Sequence, residues 1–167
     1  MLRPAFAGGL LADLRLIDFN DLGELSGWMA AVHPDGRARA LTVIHAGPTL
    51  SAIQGDPMIG MNYLRLVDPA IRGDAFDSAF VMLTRPCGLW QVSPVVCADG
   101  AENFIEFTGF PAFDPVRRRG VVVFMLRLPA AASAAITRVG SAIRWQWLEL
   151  PSTESGQGPV SAAGLAG

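Results

Sequence analysis

No lysine occurs in this chain of 167 residues; all 13 basic residues are arginine, set against 15 acidic ones. GC-rich coding explains that choice as simply as any function would. The formal net charge of -2 leaves no overall basic footprint for nucleic acid or an acidic membrane surface. Only two cysteines are present, Cys87 and Cys97. A tetrahedral zinc site would therefore have to recruit His33 or His45 at no recognised spacing. Two reduced, part-buried thiols are the expectation, with a disulfide the open alternative. No apolar run reaches the roughly 18 residues of a membrane span. The N-terminal stretch Met1 to Asp13 is broken by Pro4, Gly8 and Gly9 before it could form the core of a secretory signal. These absences lead us to expect a cytoplasmic protein with neither nucleic-acid nor membrane partners.

Catalytic signatures are missing too. There is no Gly-x-Ser-x-Gly elbow and no phosphate-cradling Gly-x-x-x-x-Gly-Lys-Ser/Thr. Asp68, Asp74, Asp77, Glu102 and Glu106 could each serve as a general base, yet none has a partner at a telling spacing. A non-enzyme is expected; a small enzyme on a curved-sheet fold and a ligand-free adaptor module are the alternatives. Apolar residues make up 51% of the chain and charged ones 17%, which is enough for a real core.

In chain order, Leu10 to Leu16 suits a short helix. Asn20 to Val32 carries Leu22, Leu25, Trp28, Met29 and Val32 at helical intervals, with Asp21 and Glu24 spaced as a capping box. A flanking helix is expected there, ended by His33-Pro34-Asp35-Gly36. Arg39 to Ala46 alternates as a strand, and Thr49 to Ile53 fits a second short strand. Asp68 caps and Pro69 opens a helix running to Thr84, with Ile71, Ala75, Phe76, Ala79, Phe80 and Leu83 on one face. Strands are expected over Gly88 to Cys97, with Pro94 at an edge or bulge, over Glu102 to Phe110, and over Gly120 to Leu128. Ala130 to Val139 suits a helix. Ile143 to Leu150 favours a strand over a helix. The Ser-, Gly-, Pro- and Ala-rich stretch from Pro151 onward suits a disordered tail.

The words Val43-Ile44-His45-Ala46-Gly47-Pro48-Thr49-Leu50 and Gly55-Asp56-Pro57-Met58-Ile59-Gly60-Met61-Asn62-Tyr63-Leu64 resemble the opening of a bacterial PAS subfamily of short, PAS-only proteins. Pro86-Cys87-Gly88-Leu89-Trp90 and Phe107-Thr108-Gly109-Phe110-Pro111 sit where that family places its second and third sheet strands. The resemblance covers residues 38 to 128. It implies an α+β fold: a five-stranded antiparallel sheet with helices on one face enclosing a small cavity. Residues 1–37 would form a flanking helical segment, 129–150 a C-terminal extension and 151–167 the tail. It further implies a sensory or protein-interaction domain, homodimeric through its flanking helix, acting on a partner such as a histidine kinase. Candidate ligand contacts are His45, Met61, Phe76, Phe80, Trp90 and Phe107, whose simplest role is hydrophobic core. The cofactor, if one binds, is left unnamed. Met61-Asn62-Tyr63-Leu64-Arg65 lacks the cysteine of a covalent flavin adduct, and residues 69–84 lack the histidine of ordinary haem ligation.

Overall fold

The computed structural model describes residues 11–17, 22–55, 57–85, 87–128 and 134–150. Its strands are β1 (Ala12–Asp13), β2 (Met29–Asp35), β3 (Ala40–Ala46), β4 (Cys87–Cys97), β5 (Glu102–Asp114), β6 (Arg119–Arg127), β7 (Ile136–Val139) and β8 (Arg144–Glu149). Its α-helices are α1 (Pro48–Gln54) and α2 (Arg72–Thr84). One sheet runs in the order β3-β2-β6-β5-β4. β7 and β8 lie in line, antiparallel, along the outer edge of β4, and β1 pairs parallel with the far end of β5.

α2 forms as its sequence dictates. Asp68 accepts a hydrogen bond from the Ala70 N–H at 3.0 Å, and a 3₁₀ turn over Pro69–Ile71 leads into the helix. Phe76, Ala79, Met82 and Leu83 are buried against the sheet. Each buried Phe or Leu is worth about 1.5–3 kcal/mol, so packing holds the helix in place more than propensity does.

The helix expected over 20–32 is absent. Gly23–Trp28 is a 3₁₀ segment and Met29–Asp35 is a strand between β3 and β6. Ala30, Ala31 and Val32 are buried, so both faces of β2 are covered. A strand covered on both faces reads as an unbroken apolar run, and chance spacing within it mimics a helix. Leu22 and Leu25, two of the five residues that make that spacing, are exposed. Asn20 and Asp21 lie outside the described residues. The strand expected over 49–53 is instead α1: Pro48 occupies its first turn and Gly55, at φ 74°, closes it in the left-handed conformation. Of the helix expected over 130–139, the last four residues are β7, and 130–133 lie outside the described residues. The expected helix over 10–16 reduces to β1 and one 3₁₀ turn over Leu14–Leu16. Residues 143–150 are mainly strand, as favoured. The proposed second and third strands of the core are its third and fourth, because β2 had been missed. The expected tail also lies outside the described residues.

β4 carries a proline in its middle without breaking the sheet. Pro94 lies opposite the gap between β7 and β8, where the Gly140 N–H donates to its carbonyl at 2.8 Å and the Ile143 N–H to that of Val92 at 2.9 Å. The neighbouring strand is interrupted where the missing N–H would otherwise leave an acceptor unmet. Cys87 and Cys97 are free thiols at opposite ends of β4, about 30 Å apart at 3.3 Å per residue.

The β2–β3 and β5–β6 hairpins turn alike. Asp35 Oδ1 accepts from the N–H groups of Arg37 (2.9 Å) and Ala38 (3.1 Å), and Asp114 Oδ1 from those of Val116 (3.0 Å) and Arg117 (3.1 Å). Asp114 is buried and also accepts from the Arg117 guanidinium at 3.0 Å. Burial pushes its carboxyl up, but the N–H and guanidinium of Arg117 and the Val116 N–H together hold it below the ordinary range. A depressed carboxylate stabilises above its unfolded pKa and ceases to do so as pH falls through its folded one. Asp114→Ala should therefore cost about 1–3 kcal/mol at pH 7. That gap should narrow below about pH 4. Urea unfolding at pH 7 and pH 3 checks both, and an equal cost at the two pH values would refute the assignment.

Candidate functional site: a cavity between α2 and the sheet

One face of the sheet packs on α2, and the two do not meet everywhere. The alternation of β4 turns Leu89 and Gln91 inward, and their β5 neighbours Gly109 and Phe107 share that face. β6 adds Val122 and Phe124, β2 adds Val32, and β3 adds Leu41. Across from them stand Asp74, Ala75, Ser78, Ala79 and Met82 of α2. Between the layers lies a cavity of about 310 Å³. Gly140, Ser141 and Ala142, in the break between β7 and β8, border it together with Trp145 and Trp147. The two indoles meet edge to face at 6.4 Å. The break that accommodates Pro94 therefore also shapes the rim of the cavity.

Tyr63, the one tyrosine in the chain, is the polar group set deepest in this wall. It sits on a 3₁₀ turn that Asn62 fastens to β3: Asn62 Oδ1 accepts from the N–H groups of Leu41 at 3.0 Å and Leu64 at 3.1 Å. The Tyr63 ring packs on Phe124 at 5.5 Å, and Phe124 stacks on Phe107 at 5.1 Å. Only 9% of Tyr63 is exposed, and no protein group among the described residues bonds its hydroxyl. Tyr63 lines this cavity and also a smaller void bounded by Leu50, Met58 and Leu126. Burial pushes its pKa up to about 12, so it stays a neutral phenol that can donate or accept. Gln91 is half-buried and commits one amide atom to Ser93 Oγ at 3.3 Å, leaving the other for the cavity. Asp74, exposed on α2, is the lone carboxylate of the lining.

Of the six residues expected to contact a ligand, Phe107 is in the lining of this cavity. The other five lie elsewhere. Phe76 and Phe80 pack on each other at 4.9 Å with their rings tilted by 43°, Phe76 beneath the guanidinium of Arg39 at 4.8 Å. Trp90 faces the opposite side of the sheet and donates its indole N–H to Glu106 Oε1 at 2.7 Å. Met61 is half-buried against the core. His45 is half-buried on β3, and burial lowers its pKa. Tyr63, Gln91 and the 140–147 segment were missed. The inward positions of β4 read Leu89, Gln91, Ser93, Val95, and two polar residues in that row were a signal available in the sequence.

No family model matches the sequence, and no curated protein does. Solved structures match in shape. A PAS domain from Colwellia psychrerythraea superposes with a TM-score of 0.49 at 13% identity, over 68% of this chain and 97% of that one. VqmA of Vibrio cholerae in a ligand–DNA complex superposes with a TM-score of 0.50 at 13% identity, over 68% and 50%. An RNA-binding light-oxygen-voltage receptor gives 0.48 at 17%, over 69% and 32%. The fold is PAS-like.

The expectation that excluded nucleic acid does not stand. A protein half of whose chain shares this fold, VqmA, is described in a complex with DNA. The charge argument also fails for a physical reason. A net charge averages over the surface, whereas the arginines of 37–39 and 117–119 belong to neighbouring hairpins. Among the described residues, no helix is long and apolar enough to cross a membrane.

Proposed function

We propose that this PAS-like domain is a sensor that holds a small neutral ligand between α2 and the sheet. Its occupancy would be passed by contact to a signalling protein such as a histidine kinase. The observation that carries this reading is the largely apolar cavity of about 310 Å³, with buried Tyr63 and half-buried Gln91 as polar residues of its wall. That volume is at the lower end for ligand pockets, which suits a fragment-sized molecule. The lining has no cation to receive an anion, and no imidazole or thiol. It favours an uncharged, mostly apolar molecule with one or two hydrogen-bonding groups for Tyr63 and Gln91. The same lining supports binding rather than catalysis, since Asp74 has no second acid or base beside it. On the other side of the sheet, the face that carries Trp90, Phe104 and Phe110 stand exposed and offer contacts for the partner.

The test is a thermal-shift and NMR screen of the full chain against neutral fragments of about 8–15 heavy atoms, sized to the cavity. A ligand at 100 times its Kd should add about 2.7 kcal/mol of stability. Tyr63→Phe should weaken binding of such a hit by roughly 5- to 10-fold, the worth of one hydrogen bond, while leaving the ligand-free protein as stable as before. Ala79→Phe, which fills the cavity from α2, should abolish binding. Hits that bind this filled variant equally well, or a screen with no hits, would refute the reading.

A further inference from the structure

The two like hairpins bring five of the 13 arginines to one end of the sheet: Arg37 and Arg39 in one turn, Arg117, Arg118 and Arg119 in and beside the other. The turns are neighbours because β2 pairs with β6, and the Arg119 charge is felt at Asp35. Two of the five are tied down, Arg39 to Asp77 at 3.3 Å and Arg117 to Asp114 at 3.0 Å. Arg37, Arg118 and Arg119 are exposed, and among the described residues their guanidinium groups make no ion pair. Asp35, Asp77 and Asp114 offset part of the charge, so five guanidinium groups stand against three carboxylates and the patch keeps an excess of positive charge.

The backbone adds an independent observation. Arg39 and Arg118 occupy the same place in their turns, four residues after the anchoring aspartate, and both are left-handed, at φ 47° and 53°. Every other described residue with positive φ is glycine: Gly23, Gly55, Gly60 and Gly100. A side chain in that conformation costs about 1–2 kcal/mol that glycine does not. So the chain uses glycine where the backbone asks for it, except at the two positions that place a guanidinium in this patch. Local strain borne twice at matched sites, together with an excess of positive charge, points to a role other than stability.

We propose that this end of the sheet binds the phosphate backbone of a nucleic acid without reading its sequence. Guanidinium groups suit phosphate oxygens, although a chain without lysine gives the choice of arginine no weight of its own. The choice of partner rests on what surrounds the charge. Protein interfaces centre on buried apolar or aromatic anchors, and here Val116 is the lone exposed large apolar side chain in the two turns. Nucleic-acid interfaces are more polar and more positively charged.

The test is fluorescence anisotropy of the full chain with a labelled 20-base-pair duplex and a 20-nucleotide single strand at 50 mM salt. Binding should be insensitive to sequence. The slope of log K against log salt should be about -3 to -4.5, as for three to five neutralised phosphates at about 0.9 per contact. The triple variant Arg37→Ala, Arg118→Gly, Arg119→Ala should bind at least tenfold more weakly. Arg118→Gly alone should bind roughly threefold more weakly while melting at the same or a higher temperature, which a structural arginine would not do. Arg127→Ala, at the opposite end of β6, should change nothing. Absence of binding to either probe, or binding that survives the triple variant, overturns the proposal. So does a fall in melting temperature with Arg118→Gly, or tighter association with anionic phosphatidylglycerol vesicles than with either nucleic acid.

Discussion

Phe124→Ala is expected to remove about 3–5 kcal/mol of folding stability, the range for a large buried aromatic cut back to alanine. A domain of this kind commonly has only 5–15 kcal/mol in all. Phe124 is buried on β6, with Ala30 and Gly109 as its neighbours in the sheet. Its ring stacks on Phe107 at 5.1 Å and meets Tyr63 at 5.5 Å. Small neighbours on both sides leave a groove that the ring fills, and neither Ala30 nor Gly109 can fill the space left behind. The void would join the cavity already there. Urea unfolding measures the effect, and a cost below about 1 kcal/mol would show that the ring is not packed as described. The variant also separates stability from sensing: a fragment that binds the native protein should lose the wall it rests on.

Gly47→Ala is expected to cost roughly 3 kcal/mol, the upper part of the range for a forced fit. Gly47 joins β3 to α1, and its N–H donates to the Met29 carbonyl at 2.7 Å. A Cβ there would run into the carbonyl groups of Ser26 and Gly27. These are main-chain atoms, so no rotamer change relieves the clash. The 3₁₀ segment before β2 would have to shift, and Gly27 is itself pressed against the Thr49 side chain. Gly55→Ala is the control. That residue is left-handed at φ 74° with open space around it, so it should lose only about 1–2 kcal/mol. Thermal unfolding of the two variants side by side tests the contrast; equal losses would mean that the crowding at Gly47 is not real.

What could be read from the sequence followed from how each element is buried. α2 packs one face on the sheet and shows water the other, so Phe76, Ala79 and Leu83 fall at helical spacing behind a recognisable cap. Asp99-Gly100 marked the β4–β5 turn, and the apolar run from Gly120 marked β6. β2 was hidden because it is covered on both sides and loses its alternation. α1 was hidden because a short apolar run has too few residues to set a period, although Gly47-Pro48 and Gly55 bracketed it. Phe107 was found as a lining residue by assuming that large apolar groups face a cavity. The same assumption passed over Tyr63 and Gln91, the groups that could make the cavity selective. It also favoured Trp90, whose strand parity places it on the other face. Residues 1–37, expected to form a flanking helical segment, carry β2, so deleting residues 1 to 35 would remove a strand from inside the sheet.

The pairing of β2 with β6 also bears on how the protein is made. Met29 is matched with Met125, more than 90 residues later. At 5–20 residues per second, a ribosome needs about 5–20 s to deliver that partner. Through that interval the β2–β3 hairpin can form, but one edge of β2 stays open and Ala30 and Val32 lack their cover. The sheet cannot close until β6 emerges, and contacts this distant in sequence place folding in the slower class of small domains. The nascent hairpin is the stage at which this chain is most open to capture by a chaperone or by another unfinished copy.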